Sequence, residues 1–249
     1  MQLVIDSGNT RVKVAVFDQS ATLVQVHVWE HPAEANYAVL LEEFTFSAAI
    51  ICSVSAFSQH VLQLLQAHIP YVLMLDHDTP LPICNGYATP QTLGYDRLAV
   101  AIGANAMHPN TPLLVIDAGT AITYELVTAD NTYRGGNIAP GANMRFVALH
   151  QFTHKLPLLS LEHPLTVEGS MGVDTASAIW QGIVQGMVYE MEGYIAQLKE
   201  KYPSLLIFLT GGDAFFFERR LKSSIFVSPN LLLFGLHCIL QYNQCLKNQ

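Results

Sequence analysis

The same short hairpin is written twice in this chain, and that repeat constrains the fold more than any single motif. Leu3-Val4-Ile5-Asp6-Ser7-Gly8-Asn9-Thr10 leads into the alternating residues Val12, Val14 and Val16, and Leu114-Val115-Ile116-Asp117-Ala118-Gly119-Thr120 leads into Ile122, Tyr124 and Leu126. Each copy is a buried apolar run that ends in Asp-x-Gly, turns through small hydroxyl or amide residues, and leaves as a strand of period two. Repeats set architecture, so two compact halves sharing one cleft are expected, over residues 1–110 and 111–249. The length of 249 residues suits this, because a single core stops growing near roughly 250 residues.

Strands and helices alternate in both halves, which reads as α/β. After the first hairpin the pattern predicts a strand over Leu23–Trp29, a helix over Ala33–Glu42, a strand over Ala48–Cys52, a helix over Phe57–Ala67 and a strand over Tyr71–Leu75. A helix at Leu98–Ala104 follows the Pro-rich stretch Thr79–Pro90. The second half continues with a strand near Tyr133–Ile138, a helix after Pro140-Gly141, and a long helix from Val173 to Lys201 carrying Ile179, Ile183, Met187, Tyr194 and Leu198 at helical spacing. A strand over Leu205–Leu209, a helix over Ala214–Leu221, a strand over Ile225–Val227 and a last helix over Leu231–Gln241 complete it. That last helix is a candidate to pack back on the first half.

Only 13% of the residues are charged, against about a quarter in an average soluble domain, so the surface is expected either to be covered by Ser, Thr, Asn, Gln and His or to lie partly against a second chain. The net charge is -8, and no Lys/Arg cluster exceeds Arg219-Arg220. Phosphate-backbone binding needs several cations on one face, so nucleic acid is not an expected partner. Neither Phe44–Leu75, interrupted by Ser, Gln, His and Pro, nor the short run Leu231–Leu240 supplies the about 20 apolar residues of a membrane span. With Leu3-Val4-Ile5 running straight into Asp6 there is no signal-like start, and a cytoplasmic protein is expected. Cys52, Cys84, Cys238 and Cys245 form no CxxC pair and are read as reduced thiols.

The Asp-x-Gly turns carry the first chemistry. A glycine at the end of a buried strand lets main-chain N–H groups approach a phosphate, Asn9, Thr10 and Thr120 add uncharged donors, and Arg11 and Lys13 are the local cations. Asp6 and Asp117, one from each half, suit a cation shared with nucleotide phosphates. Thr210-Gly211-Gly212-Asp213-Ala214 follows a buried strand and opens a helix, a geometry for an anion or simply a turn capped by Asp213. Arg134-Gly135-Gly136-Asn137-Ile138-Ala139-Pro140-Gly141 is too glycine-rich for a strand interior, which points to close approach by a ligand or another loop. Walker, dinucleotide-binding and protein-kinase signatures are absent. In Gly94-Tyr95-Asp96-Arg97, Asp96 opens a helix. There a carboxylate could accept the proton of an attacking hydroxyl while Arg97 holds a substrate carboxylate, or Asp96 could simply cap the helix.

Taken together, D-S-G-N-T (6–10), G-Y-D-R (94–97), D-A-G-T-A (117–121), G-G-N-I-A-P-G (135–141), G-V-D-T (172–175) and T-G-G-D-A (210–214) resemble type III pantothenate kinase, of the acetate/sugar kinase–Hsp70–actin superfamily. The resemblance implies duplicated actin-like, ribonuclease H-like halves, each a mixed sheet with flanking helices. It also implies ATP-dependent phosphorylation of pantothenate, the first step of coenzyme A biosynthesis, in a homodimer. Position by position it makes Asp6, Ser7, Gly8, Asn9, Thr10, Arg11, Val12 and Lys13 the first ATP-phosphate loop and Thr120 the second. Asp96 becomes the general base, and Tyr87, Gly94, Tyr95, Asp96, Arg97 and Thr175 the pantothenate site. Asp117 becomes a ligand of a monovalent cation, K⁺ or NH₄⁺, and Asp6 a Mg²⁺ site, directly or through water. Ser7 stands where the family usually has Ile or Val, and Asp174 stands where Asn is expected, adding a negative charge beside a carboxylate substrate.

Two other functions are compatible with the fold: another small-molecule kinase or polyphosphate-type phosphohydrolase of the superfamily, and a non-catalytic regulatory relative. Gly94-Tyr95-Asp96-Arg97 with Tyr87 argues against the first, and intact Asp6, Asp96, Asp117 and Thr120 against the second. His150 and His154, four apart, read as a polar helix face rather than a metal pair. Gly182 and Gly186 read as close helix packing, and Phe215-Phe216-Phe217 as core and subunit interface.

Overall fold

A computed structural model describes residues 1–8, 11–30, 32–53, 57–162, 169 and 171–247. In chain order the elements are β1 (Gln2–Ser7), β2 (Val12–Phe17), β3 (Leu23–Trp29), α1 (Glu34–Glu43), β4 (Ala48–Ser53), α2 (Gln59–His68), β5 (Val72–Met74), β6 (Cys84–Asn85) and α3 (Tyr95–Met107). Then follow β7 (Leu113–Ala118), β8 (Ala121–Thr128), β9 (Thr132–Pro140), α4 (Ala142–Gln151), α5 (Thr175–Lys201), β10 (Leu206–Thr210), α6 (Ala214–Glu218), β11 (Phe226–Val227) and α7 (Leu231–Lys247). They form two compact units: Met1–Pro109 with Asn131–Tyr133 and Asn230–Gln249, and Asn110–Asp130 with Arg134–Pro229.

The first unit is built on a mixed sheet ordered β3-β2-β1-β4-β5, with β1 antiparallel to β2 and parallel to β4. Strand alternation sorts its side chains. Leu3, Ile5, Val14, Val16, Ala49 and Ile51 pack on Tyr37 and Leu40 of α1 and Val61 and Leu65 of α2. Fully burying each such Leu, Ile or Val contributes about 1.5–3 kcal/mol. The intervening residues, among them Val4, Asp6, Lys13 and Cys52, belong to the opposite face, on which α7 packs against β1, β2 and β4. Helix α3 lies against α7 through two glycines. A Cβ at Gly235 would sit 1.8 Å from the Ala99 carbonyl oxygen, and one at Gly103 would sit 2.6 Å from that of Leu231. Helix α7 is longer than its apolar run, extending to Lys247. Asn243, past the run, explains why, since its amide donates to the Pro80 and Ile239 carbonyls.

The second unit repeats the pattern with β11-β10-β7-β8-β9. Helix α5 supplies Ile179, Ile183, Met187, Met191 and Ile195 to a core shared with Leu114, Ile116 and Ala118 of β7. It starts at Thr175, two residues later than its periodicity suggests. Asp174 is the cap: its carboxylate accepts the Ser177 N–H at 2.8 Å, and the Ser177 hydroxyl accepts the Asp174 N–H at 3.0 Å. This reciprocal box fixes the first turn.

The strand expected near Tyr133–Ile138 is present as β9, Thr132–Pro140, although its glycines point to close approach by a ligand or another loop. The glycine is needed for a close approach, but to the neighbouring strand: a Cβ at Gly136 would lie 1.8 Å from the Tyr124 carbonyl oxygen and 2.5 Å from a Glu125 carboxylate oxygen. The first residues of β9 pair in parallel with β6, Cys84 with Thr132 and Asn85 with Tyr133, a short ladder inside the first unit that the Pro-rich sequence did not announce.

Candidate active site

Both repeated hairpins close at the same end of their sheets, and each places an aspartate at the last turns of its first strand. In the first unit Asp6 is in register with Lys13 on one side and Cys52 on the other. The turn is closed by the Gly8 N–H donating to the Arg11 carbonyl at 3.1 Å. Asn9 and Thr10 lie outside the described residues. Arg11 pairs with Glu30 at 3.7 Å, both side chains largely exposed, a contact of the kind that contributes 0–1 kcal/mol and leaves the guanidinium easy to recruit. Val12 is buried in the core, so its side chain packs and only its main chain faces the turn. Ser7 is half-buried.

Helix α3 brings the second carboxylate. Gly94 is its N-cap and Asp96 its second residue, and an Asp96 carboxylate oxygen accepts the Arg97 N–H at 2.9 Å. Gly94 makes room for that carboxylate, because a Cβ there would stand 2.4 Å from Asp96 Oδ1. The Cys52 thiol, fully buried, is pushed well above its ordinary range, first by burial and then by the charges of Asp6 and Asp96. Asp6 is the cross-strand neighbour of Cys52, and the charge of Asp96 acts on the same thiol. Tyr95 joins them: burial raises its hydroxyl, followed by Asp76, Cys52 and Asp78.

Arg97 is buried, with its guanidinium 5.7 Å from the centre of the Tyr87 ring. Tyr87 is held in turn by its N–H to Asn85 Oδ1 at 3.0 Å and by the Tyr133 ring at 6.1 Å. A half-buried aromatic face beside a buried cation is a seat for a small carboxylate with an apolar body.

In the second unit the loop is tighter. β7 ends at Ala118 and β8 begins at Ala121, so only Gly119 and Thr120 lie between the strands, closed by Gly119 N–H to the Ala121 carbonyl at 3.0 Å. Two other motifs pack directly against it. Gly141 donates its N–H to the Thr120 carbonyl at 3.1 Å, and a Cβ at Gly141 would be 2.1 Å from the Gly119 carbonyl oxygen. Gly211, at φ +94°, faces Asp117: a Cβ there would be 2.4 Å from Asp117 Oδ1 and 2.3 Å from the Ala118 carbonyl oxygen. Asp213 caps nothing with its side chain and instead donates its N–H to the Ala118 carbonyl at 3.0 Å, while burial raises its carboxyl above the usual range. Sequence reasoning flagged these glycines separately and missed that they converge on Asp117 and Thr120.

Thr175 belongs to the second unit, exposed at the first position of α5. The neighbouring Asp174 charge is engaged: the Ser177 N–H and hydroxyl hold it below the usual carboxylate range. Gly172 is required there, since its Cβ would meet the Ala178 nitrogen at 2.1 Å. His150 binds the Leu156 carbonyl with Nδ1 at 2.8 Å, and among the described residues no three His, Cys, Asp or Glu side chains group as a metal site. Phe217 is core, Phe216 lies 3.7 Å from the Arg220 guanidinium, and Phe215 is exposed. Cβ atoms at Gly182 and Gly186 would meet nothing within 4 Å, so these glycines do not mark close packing inside the chain. No helix among the described residues is long and apolar enough to cross a membrane.

Comparison with known proteins adds a family. The model of type III pantothenate kinase matches residues 2–197. The type III pantothenate kinase of Bacteroides fragilis is 48% identical over 244 residues, covering 98% of both chains, and that of Phocaeicola vulgatus is 44% identical over 98% of this chain and 99% of its own. Among solved structures, a Baf family transcriptional activator from Campylobacter jejuni matches 98% of this chain and 99% of its own, at a TM-score of 0.59 and 20% identity. The activator of 2-hydroxyisocaproyl-CoA dehydratase from Clostridium difficile, with bound ADPNP, matches 100% of this chain and 97% of its own at 0.53 and 13%. These two likenesses are of fold alone.

Proposed function

Because the chain belongs to the type III pantothenate kinase family, and so catalyses ATP-dependent phosphorylation of pantothenate in the first step of coenzyme A biosynthesis, we infer that Asp96 is the general base of this transfer. The observation that carries the assignment is the pairing of Asp6 with Cys52 across β1 and β4, with the charge of Asp96, at the start of α3, also acting on that buried thiol. This supports a phosphate-loop residue and a helix N-terminal carboxylate working at the same end of the sheet. Arg97, backed by the Tyr87 ring, holds the pantothenate carboxylate, with Gly94 and Tyr95 shaping the seat; Thr175 is a proposed substrate contact on the family resemblance alone. Asp96 accepts the proton of the attacking hydroxyl as the γ-phosphoryl group transfers in line. Residues 6–13, with the Lys13 ammonium, and Thr120 are the proposed phosphate contacts.

Two cations complete the proposal. Mg²⁺, when bound with ATP, neutralises the charge that develops on the phosphates. Since no three-carboxylate site occurs among the described residues, it would rest on nucleotide oxygens and on Asp6, directly or through water, as Mg²⁺ commonly does. For the monovalent cation, K⁺ or NH₄⁺, Asp117 is the proposed ligand; its Oδ1 and the Ala118 carbonyl, both close to Gly211, are hard oxygen donors of the kind such a cation takes.

A homodimer is the proposed assembly. A groove of about 500 Å³ between α4 and α5 is lined by Leu149, Phe152, Ile179 and Gly182, Phe152 is 82% exposed, and the open glycines of α5 leave room for a second helix. Residues 1–110 and 111–249 are proposed as the two copies of the duplication, on the strength of the repeated hairpin. A cytoplasmic setting is proposed from the biosynthetic role.

The test is ADP release from ATP with and without pantothenate, in K⁺ and in Na⁺. Asp96→Asn should lower kcat by about 10²–10⁴-fold while binding of an ATP analogue persists. Near-normal turnover of that variant would remove Asp96 as the base.

A further inference from the structure

The Gly119-Thr120 turn has almost no chain of its own, and two residues cannot fix a phosphate contact unless something behind them does. In the second unit that support can be traced bond by bond. The Thr120 carbonyl accepts from Gly141 N–H at 3.1 Å. The carbonyl of the preceding Pro140 accepts from Arg145 Nε at 2.7 Å. The same guanidinium gives its Nη2 to Glu190 Oε2 at 2.8 Å. The other oxygen of that carboxylate accepts from the Tyr124 hydroxyl at 2.7 Å, and Tyr124 sits on β8, four residues after Thr120. The path returns to its start.

We propose that Arg145, Glu190 and Tyr124 are positioning residues for the second phosphate loop, closing a ring of hydrogen bonds that sets the height of the Gly119-Thr120 turn. This rests on the reading of Thr120 as a phosphate contact. Three features favour a positioning role over ordinary packing. The guanidinium bridges two acceptors with fork geometry that Lys cannot copy. Arg145 and Glu190 keep only 21% and 25% of their side-chain surface, so the pair is shielded from competing water. Tyr124 is 2% exposed and its ring lies 4.3 Å from that of Tyr194. Its hydroxyl is therefore anchored, and burial followed by Glu190 raises its pKa far above the ordinary value.

The experiment compares Glu190→Gln, Tyr124→Phe, Thr120→Ala and the double variant Thr120→Ala/Glu190→Gln in the full-length chain, measuring kcat and KM for each substrate together with Tm. Glu190→Gln is expected to lower kcat/KM for ATP by about 10-fold, inside the roughly 100-fold that a 1 Å misplacement brings, and Tyr124→Phe by about threefold, with KM for pantothenate unchanged. The double variant should be no worse than Thr120→Ala alone, as residues acting through one contact are not additive. Normal ATP kinetics for Thr120→Ala would overturn the phosphate-loop reading and this proposal with it. Impaired Thr120→Ala with normal Glu190→Gln and Tyr124→Phe would overturn the ring alone. So would additivity, or a parallel loss for both substrates that tracks Tm. Tyr124→Phe keeps the test valid if Glu190→Gln fails to fold, since it removes one oxygen from a buried ring.

Discussion

Replacing Gly94 with alanine should separate catalysis from stability more cleanly than replacing any charged residue. The new methyl would stand 2.4 Å from Asp96 Oδ1, where a methyl and an oxygen need about 3.4 Å or more, so the carboxylate must retreat by about 1 Å. It has room to do so, being the far end of a short side chain held by the Arg97 N–H. A displacement of that size at a base costs up to about 100-fold in rate, and the expected fall in kcat is about 10- to 100-fold. Stability should move the other way. Gly94 sits at φ -62° and ψ 133°, which any L-residue adopts, and alanine there restricts the unfolded chain, a gain of about 0.4–1 kcal/mol. Coupled ADP-release kinetics beside a thermal melt read both quantities on one sample. Undiminished kcat would refute the placement of the Asp96 carboxylate, and a lower Tm would show that the clash is absorbed by the helix instead.

Gly235→Ala is the converse case: its methyl would meet the Ala99 carbonyl oxygen at 1.8 Å, backbone against backbone, so α3 and α7 must part. A loss of about 1–3 kcal/mol or more follows, read as a lower urea midpoint. His237, fully buried against Phe17 with its Nε2 on Gln2, has its pKa lowered to about 4 from 6.5 by burial, partly opposed by Asp18. The folded value is depressed, so the neutral ring's contribution is complete above pH 6.5 and lost as pH falls towards 4. At 1.36 kcal/mol per unit this is about 3 kcal/mol, and chemical denaturation of His237→Gln should show a correspondingly shallower slope between pH 6.5 and 4. An equal slope in both proteins would discard His237 as the source.

Much of the fold was legible because period and punctuation agreed. Leu3, Ile5, Val14 and Val16 alternate, and they share one core with α1 and α2; Ile179, Ile183 and Met187 recur at helical spacing, and they line one stripe of α5. What was not legible depended on backbone approaching backbone. Gly136 looks like a strand breaker in one dimension, yet it is the residue that lets β9 lie against the Tyr124 carbonyl. Gly182 and Gly186 look like a packing motif, yet nothing within the chain fills the space beside them. Glycine density announces that something comes close without saying what, because the partner is set by register far away in sequence.

The site was legible to the extent that its parts are contiguous. Asp6 and Asp96 could be picked from their own neighbours, whereas Cys52, paired with Asp6 across the sheet, lies in an ordinary apolar run with no local signal. Arg145 and Glu190 are 45 residues apart and meet at 2.8 Å, a pairing that only the crossing of α4 and α5 creates. The same logic resolves the charge balance. On the proposed phosphate-loop reading, a chain at -8 binds a polyanion through glycine-containing turns where a basic patch would use lysines. On that reading main-chain N–H dipoles of the turns face the phosphates, and fixed dipoles need no reorganisation when charge arrives. The cost is that such dipoles cannot swing to follow a phosphate as a lysine can, so whatever holds the turn from behind becomes part of the binding site. That is why a salt bridge on the far side of Thr120 should be felt in the KM for ATP.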